Sequence, residues 1–293
     1  MSFLELCAEI KNEVTRRSFE ISVQILERKI YSLSKKDLLS IVAAIGSIPE
    51  NIDHDSTEEK LYAKVSDIVL AKCLQELGLS ASVNTGRANC ADVVAKSRFH
   101  GYTLVGEAKS FRLSRTAKNQ KDFKVKSLAD WRGDNDYAVL TCPYYQYPKV
   151  RSQIYGQALN DNISLFSWEY FFILLASKIS ENKLVNLSDL WNYSFRLAKN
   201  TKIIDRNNCF LSKQDIAIRK YLSLDDRKLG TYFSKFRNNI IARGNLEIEY
   251  WQTKIIEIKK YTKERAIKEL LLSLKLNEKI SAIQKYIDSL EAG

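Results

Sequence analysis

Residues 91–109 read ADVVAKSRFHGYTLVGEAK, and this stretch settles the class of fold. Ala91–Ala95 and Tyr102–Ala108 are two apolar, β-branched runs with a turn at His100-Gly101 between them, the pattern of adjacent strands. Period-2 alternation puts Glu107 and Lys109 on one face of the second strand. If the strands pair, Asp92 lies on that face near the same strand end. Two carboxylates and an ammonium then converge, which suits phosphodiester hydrolysis. The carboxylates hold Mg²⁺, the metal polarises the phosphate and acidifies a bound water, and the lysine orients or deprotonates that water. Charged strand ends are common, so the spacing alone is a weak signal. It gains weight because both strands are apolar enough to be central.

Outward from this hairpin, Tyr137–Cys142 reads as a third strand closed by Pro143, and Ile163–Trp168 as a fourth after a helix through Ile154–Leu159. Upstream, residues 1–50 carry apolar positions at helical spacing in Phe19–Leu33 and Leu38–Ile45. Ser56-Thr57-Glu58-Glu59 is a capping-box pattern opening a helix with Leu61, Val65, Ile68, Leu74 and Leu77 inward, which stops at Gly78. Residues 169–293 are mostly helical, with a long helix from about Tyr232 to Tyr261 and two short amphipathic ones after it. The expectation is an α/β chain, a small mixed sheet framed by helices. Its segments are an N-terminal helical part (1–55), a core (56–180) and a C-terminal helical region (181–293).

Composition narrows the function. The chain of 293 residues has a net charge of +11, which favours an acidic partner, and nucleic acid is preferred because no lipidation signal or basic amphipathic terminus accompanies it. No apolar run is long enough to span a bilayer and the N-terminus has no signal-peptide pattern, so no membrane partner and a cytoplasmic location are expected. Five cysteines without a C-x-x-C pair argue against a disulfide framework or a zinc site, and two histidines argue against mechanisms resting on several imidazoles.

Lys109 opens a dense basic run: Lys109, Arg112, Arg115, Lys118, Lys121 and Lys124 recur every third residue up to Lys126. On one continuous helix such steps wrap the charge around the axis as a collar, suited to enclosure by phosphates in a DNA groove. Asn119 and Gln120, within the run, are the side chains best able to pair with adenine.

At this point the chain resembles the HindIII-type restriction endonucleases of the PD-(D/E)XK nuclease superfamily. The resemblance rests on AKSFRLSRTAKNQKDFKVK (Ala108–Lys126), STEEKLYAKVSDIVLAK (Ser56–Lys72), DYAVLT (Asp136–Thr141), QYP (Gln146–Pro148), LFSWE (Leu165–Glu169) and EYW (Glu249–Trp251). It is dense from about 45 to 170 and thin beyond 190. It implies a type II site-specific deoxyribonuclease acting on double-stranded DNA at AAGCTT, a PD-(D/E)XK core, dependence on Mg²⁺, a homodimer, and pairing with a DNA methyltransferase. Carried over, the first acid of the motif falls on Asp92, the second on Glu107 and the lysine on Lys109, with Asp92 and Glu107 as metal ligands. The chain departs from the pattern at Ala91, where the motif has proline, and at Glu107, where aspartate is expected. Asp122 and Glu59 are secondary candidates for the catalytic network, Glu59 more readily serving as the capping-box acid. The DNA-binding candidates are Arg112, Arg115, Thr116, Lys118, Asn119, Gln120, Lys121 and Lys124.

Two other readings share these residues: a related nuclease of different specificity, acting in repair or recombination, and a DNA-binding protein without catalysis. Tyr144, Tyr145 and Tyr147 are expected in a packed loop. Trp131, Trp168, Trp191 and Trp251 are expected in the core or a dimer contact, and His54 and His100 in solvated turns.

Overall fold

A computed structural model of the chain describes residues 1–84, 90–115, 119–148, 152–200 and 210–291. Three serines in extended backbone, Ser2, Ser18 and Ser34, each accept from the amide three residues on. These caps open α1 (Phe3–Arg16), α2 (Phe19–Tyr31) and α3 (Lys35–Val42). There follow β1 (Ser47–Ile48), α4 (Thr57–Glu76), β2 (Ser80–Val83), β3 (Val93–Lys96), β4 (Thr103–Ala108), β5 (Phe111–Arg112), α5 (Gln120–Phe123), α6 (Val125–Trp131), β6 (Tyr137–Cys142), α7 (Gln153–Asn160), β7 (Ile163–Ser167) and α8 (Trp168–Ala176). The described chain continues with α9 (Ser188–Trp191), α10 (Tyr193–Asn200), α11 (Phe210–Tyr221), α12 (Asp226–Ile258), α13 (Lys263–Ser273) and α14 (Leu276–Glu291). It divides into two compact units, Met1–Ile241 and Ala242–Gly293. Among the described residues no helix is long and apolar enough to cross a membrane.

The first unit is built on a five-stranded mixed sheet in the order β2-β3-β4-β6-β7. β3 is antiparallel to β2 and β4, whereas β4–β6 and β6–β7 are parallel. Alternation along the strands divides the core. Leu104 and Val139 join Val65, Leu70 and Leu74 of α4, while Val105, Ala138 and Leu140 join Phe123, Leu128 and Ile154. The parallel strands β6 and β7 are covered on both faces and are buried nearly throughout for that reason. α4 is buried at most positions from Leu61 to Leu74. It packs tightly on β4 at Gly106, where an added Cβ would sit 3.1 Å from Leu70 Cδ2. Glycine there lets the helix meet the strand just before Glu107.

The expected hairpin, the third and fourth strands and the early helices are present, with the fourth strand ending one residue sooner. Ser167 accepts from the Tyr170 amide, so Trp168 starts a helix. β2 and the parallel β1–β5 pair were not expected. The basic run is corrected. Lys109–Lys126 is not one helix, so the continuous helix that a collar of charge would need is not formed among the described residues. Phe111–Arg112 pairs with Ser47–Ile48, and Lys124, at a left-handed φ of +51°, separates α5 from α6. The apolar residues impose the break. Phe123 and Val125 are both buried, yet on one straight helix they would point about 200° apart.

Candidate active site

The register of the hairpin builds the site. Val93 faces Gly106 across the antiparallel pair, and one further step along that register brings Asp92 opposite Glu107. β4 continues its parallel pairing into the next residue, where the Lys109 amide donates to Thr141 O at 2.7 Å. Trp168 Nε1 donates to Lys109 O at 3.3 Å, and Ser110 Oγ donates to Ile45 O at 2.8 Å, so the backbone on either side of the lysine is held. Lys109 Nζ lies 2.5 Å from Glu107 Oε1. Asp92, Glu107 and Lys109 are therefore together, as the alternation of the strands indicated.

α4 adds two residues that sequence reading missed. Lys64 Nζ is 3.2 Å from Asp92 Oδ1, and the buried Asp67 feels the charges of Asp92, Glu107, Lys64 and Lys109. Their signal was a lysine and an aspartate inside an apolar helical run, where exposed polar residues would normally mark the outer face. Burial, then the nearby Asp92 and Glu107, holds the Asp67 carboxyl well above the usual carboxylate range. Glu107 is raised too, first by burial. Lys109 opposes that shift, and the charge of Asp92 and its hydrogen bond to Glu107 reinforce it.

The donor set fits a divalent cation. Glu107 is 2% exposed, and its Oε2 is buried without a hydrogen-bond partner. An orphan carboxylate oxygen in the interior is costly unless a proton or a cation meets it. Asp92, with 38% of its side chain exposed, is the open side of the same site. Carboxylate oxygens are the ligands that Mg²⁺ prefers. Among the described residues, the set whose ligand atoms all lie within 4.8 Å of one another is elsewhere, at His54, Asp55 and Glu59. Here the two lysines engage the carboxylates instead.

The remaining candidates are held apart from this cluster by their own partners. Glu59 gives half of the expected capping box. Its amide donates to Ser56 Oγ at 3.0 Å, but its carboxylate accepts from the Asp55 amide at 2.8 Å and binds Arg112 at 2.7 Å. Arg112 also donates to Pro49 O at 3.0 Å and is largely enclosed. Asp122 accepts from the Asn119 amide and from Arg115, each at 2.6 Å, and so serves the start of α5. Asn119, Lys121 and Lys124 are exposed and Gln120 is half-buried, while Lys124 also lies over the Trp131 ring. Thr116 and Lys118 fall outside the described residues.

Of the aromatic residues, Tyr147, Trp168 and Trp191 are buried, and Tyr144 and Tyr145 lie in a packed turn. Trp131 is half-buried and Trp251 exposed. His54 is exposed, as expected. His100 instead places Nε2 within 2.9 Å of Asn182 O.

Comparison with known proteins bears on this geometry. Residues 2–287 match the model of the HindIII restriction endonuclease family. The chain is similar to the type II restriction enzyme HindIII of Haemophilus influenzae. The two are 40% identical over 291 residues, covering 99% of this chain and 97% of the relative.

Proposed function

The chain belongs to the HindIII restriction endonuclease family and is a type II site-specific deoxyribonuclease. From that premise we propose that it uses Mg²⁺ to cut double-stranded DNA at the palindrome AAGCTT, between the two adenines of each strand, leaving four-base 5′ ends. The observation that carries the metal is the orphan Oε2 of Glu107 beside Asp92. What supports the specificity is the resemblance of the run Ala108–Lys126 to the family.

Asp92 and Glu107 would hold the cation, which when bound supplies Lewis acidity and a more acidic water. Lys109, fixed by Glu107 at 2.5 Å, orients the attacking water and presents positive charge to the phosphate. Burial, then the charges of Asp92 and Glu107, raises the Asp67 carboxyl, which works against gathering a third full negative charge in front of an anionic substrate. Asn119, Gln120 and Lys121 are assigned to base edges. Arg115, Thr116, Lys118 and Lys124 are assigned to the backbone, with Arg112 holding the segment through Glu59.

The proposal includes a homodimer, since a palindrome presents two equal half-sites to a two-fold axis. It also includes a cytoplasmic location and a DNA methyltransferase that protects the host's own sites. The test is digestion of plasmid DNA with protein and Mg²⁺, followed by sequencing of the ends. Staggered ends confined to AAGCTT support the reading. Cuts scattered along the plasmid point to a nuclease of other specificity, and bound but intact DNA to a protein without catalysis.

A further inference from the structure

Among the described residues of Ala242–Gly293 no side chain is buried. α13 has no buried residue, and none of the described side chains from Ala242 onward in α12 and α14 is buried. Among the described residues, fourteen large apolar side chains in this unit are exposed, twice the number on the first 240 residues. Short helices in water are marginal without a packed face, so a segment of this composition needs a cover.

The spacing of these residues identifies the kind of cover. Ile248, Trp251, Ile255 and Ile258 step by three, four and three along α12, and Leu276, Ile280 and Ile283 by four and three along α14. In sequence the second series continues at Ile287 and Leu290. This alternation is the seam by which helices interlock with other helices. The charge of the segment points the same way. It has ten basic and eight acidic side chains, +2 of the total of +11, so it is poorly suited to a polyanion. Near-neutral, mixed-sign surfaces can instead face copies of themselves without repulsion. The area is also sufficient. Burying one such side chain removes roughly 100 Å² from water. About half of that for each of fourteen gives on the order of 700 Å², close to the ~800 Å² per partner of a stable interface.

We propose that the helices of Ala242–Gly293 are the surface through which two copies of this chain associate, α12 and α14 packing on their counterparts by these seams. The inference names the interface of the homodimer in the proposed function and rests on that reading for its purpose, but its test needs neither DNA nor metal.

Sedimentation of the full chain at micromolar concentration should give twice the monomer mass of 33.7 kDa. Two double variants probe separate helices, Ile248→Glu with Ile255→Glu and Ile280→Glu with Ile283→Glu. Each puts four carboxylates into the dimer seam and should weaken association by at least about 100-fold, leaving monomers. Circular dichroism and melting of the core monitor folding, and either variant suffices if the other fails to fold. A monomeric parent chain would overturn the inference, as the segment would then pack on its own chain. Folded variants that remain dimeric would overturn it too, placing the interface elsewhere. If the variants dissociate as expected but the parent never cuts DNA, the inference stands and the proposed function falls.

Discussion

Lys109 and Glu107 form one unit at the end of β4, with 2.5 Å between Nζ and Oε1. The backbone around them is held by the next strand and by Trp168, so replacing the lysine removes a charge without moving the strand. Lys109→Ala should therefore lower cleavage by ~10²–10⁴ while DNA binding persists. Cleavage within tenfold of the parent would take Lys109 out of the reaction. Glu107 makes a second prediction. Burial raises its pKa, and a cation needs the ionised carboxylate. Divalent-ion affinity should then weaken as pH falls through that raised value, and binding near it should release protons. Calorimetry with Ca²⁺ in buffers of different ionisation heat measures both. Affinity that stays flat as pH is lowered towards the ordinary carboxylate range, with no proton release, would separate Glu107 from the metal.

Among the elements, those whose cause is local were legible. The serine caps, the helical spacing of residues 1–50 and the apolar runs of β3, β4, β6 and β7 each carry their signal within a few residues. β2, four residues of alternating small side chains, is a strand because β3 lies beside it, and the two-residue β1 and β5 exist only through each other. Asp92, Glu107 and Lys109 could be read because strand register is a local rule. Lys64 and Asp67 stood out only as charges inside an apolar helical run, and their place in the site was not legible because α4 meets the hairpin through tertiary packing.

The broken basic run depends on Lys124, whose left-handed backbone costs a non-glycine residue roughly 1–2 kcal/mol. Lys124→Gly should raise thermal stability by up to about that amount, and should flatten the dependence of DNA affinity on salt if the lysine meets a phosphate. A lower melting temperature would mean that its contact with Trp131 outweighs the backbone cost. Glu169, buried at the start of α8, is pushed up to about 7 from an ordinary 4.5. Between those values the folded chain keeps a proton that the unfolded chain gives up, so stability falls as pH rises through this range and levels above it. Glu169→Gln, which can still accept from the Tyr144 amide, should remove that slope and stabilise the protein above pH 7 by on the order of 2–3 kcal/mol. Parallel stability profiles for parent and variant would refute it.

At the scale of the whole molecule, charge and apolar surface are divided between the units. Residues 1–241 carry 36 basic against 27 acidic side chains, whereas the C-terminal unit is nearly neutral and holds most of the exposed apolar residues. That division suits a protein that meets DNA with one part and a second copy of itself with the other. The decisive test of the DNA-facing part is sequence. Asn119 begins α5 with its amide tied to Asp122, which Arg115 also grips, so an exposed carboxamide is presented on a braced turn. A carboxamide can accept from adenine N6 and donate to N7 together, a pairing worth roughly 1–3 kcal/mol of discrimination, and about twice that when two copies read a palindrome. Lys121, two residues on and exposed, is the group proposed for guanine, as a single charge less exacting than arginine. Asn119→Ala should therefore relax selectivity at an adenine of the proposed site AAGCTT while affinity for random DNA changes little, because random DNA is held by its phosphates. Sequenced ends from a plasmid digest would show new sites altered at that position. If the variant keeps the parent's site and loses random-DNA affinity instead, Asn119 contacts the backbone and the adenine must be read by another side chain of the run.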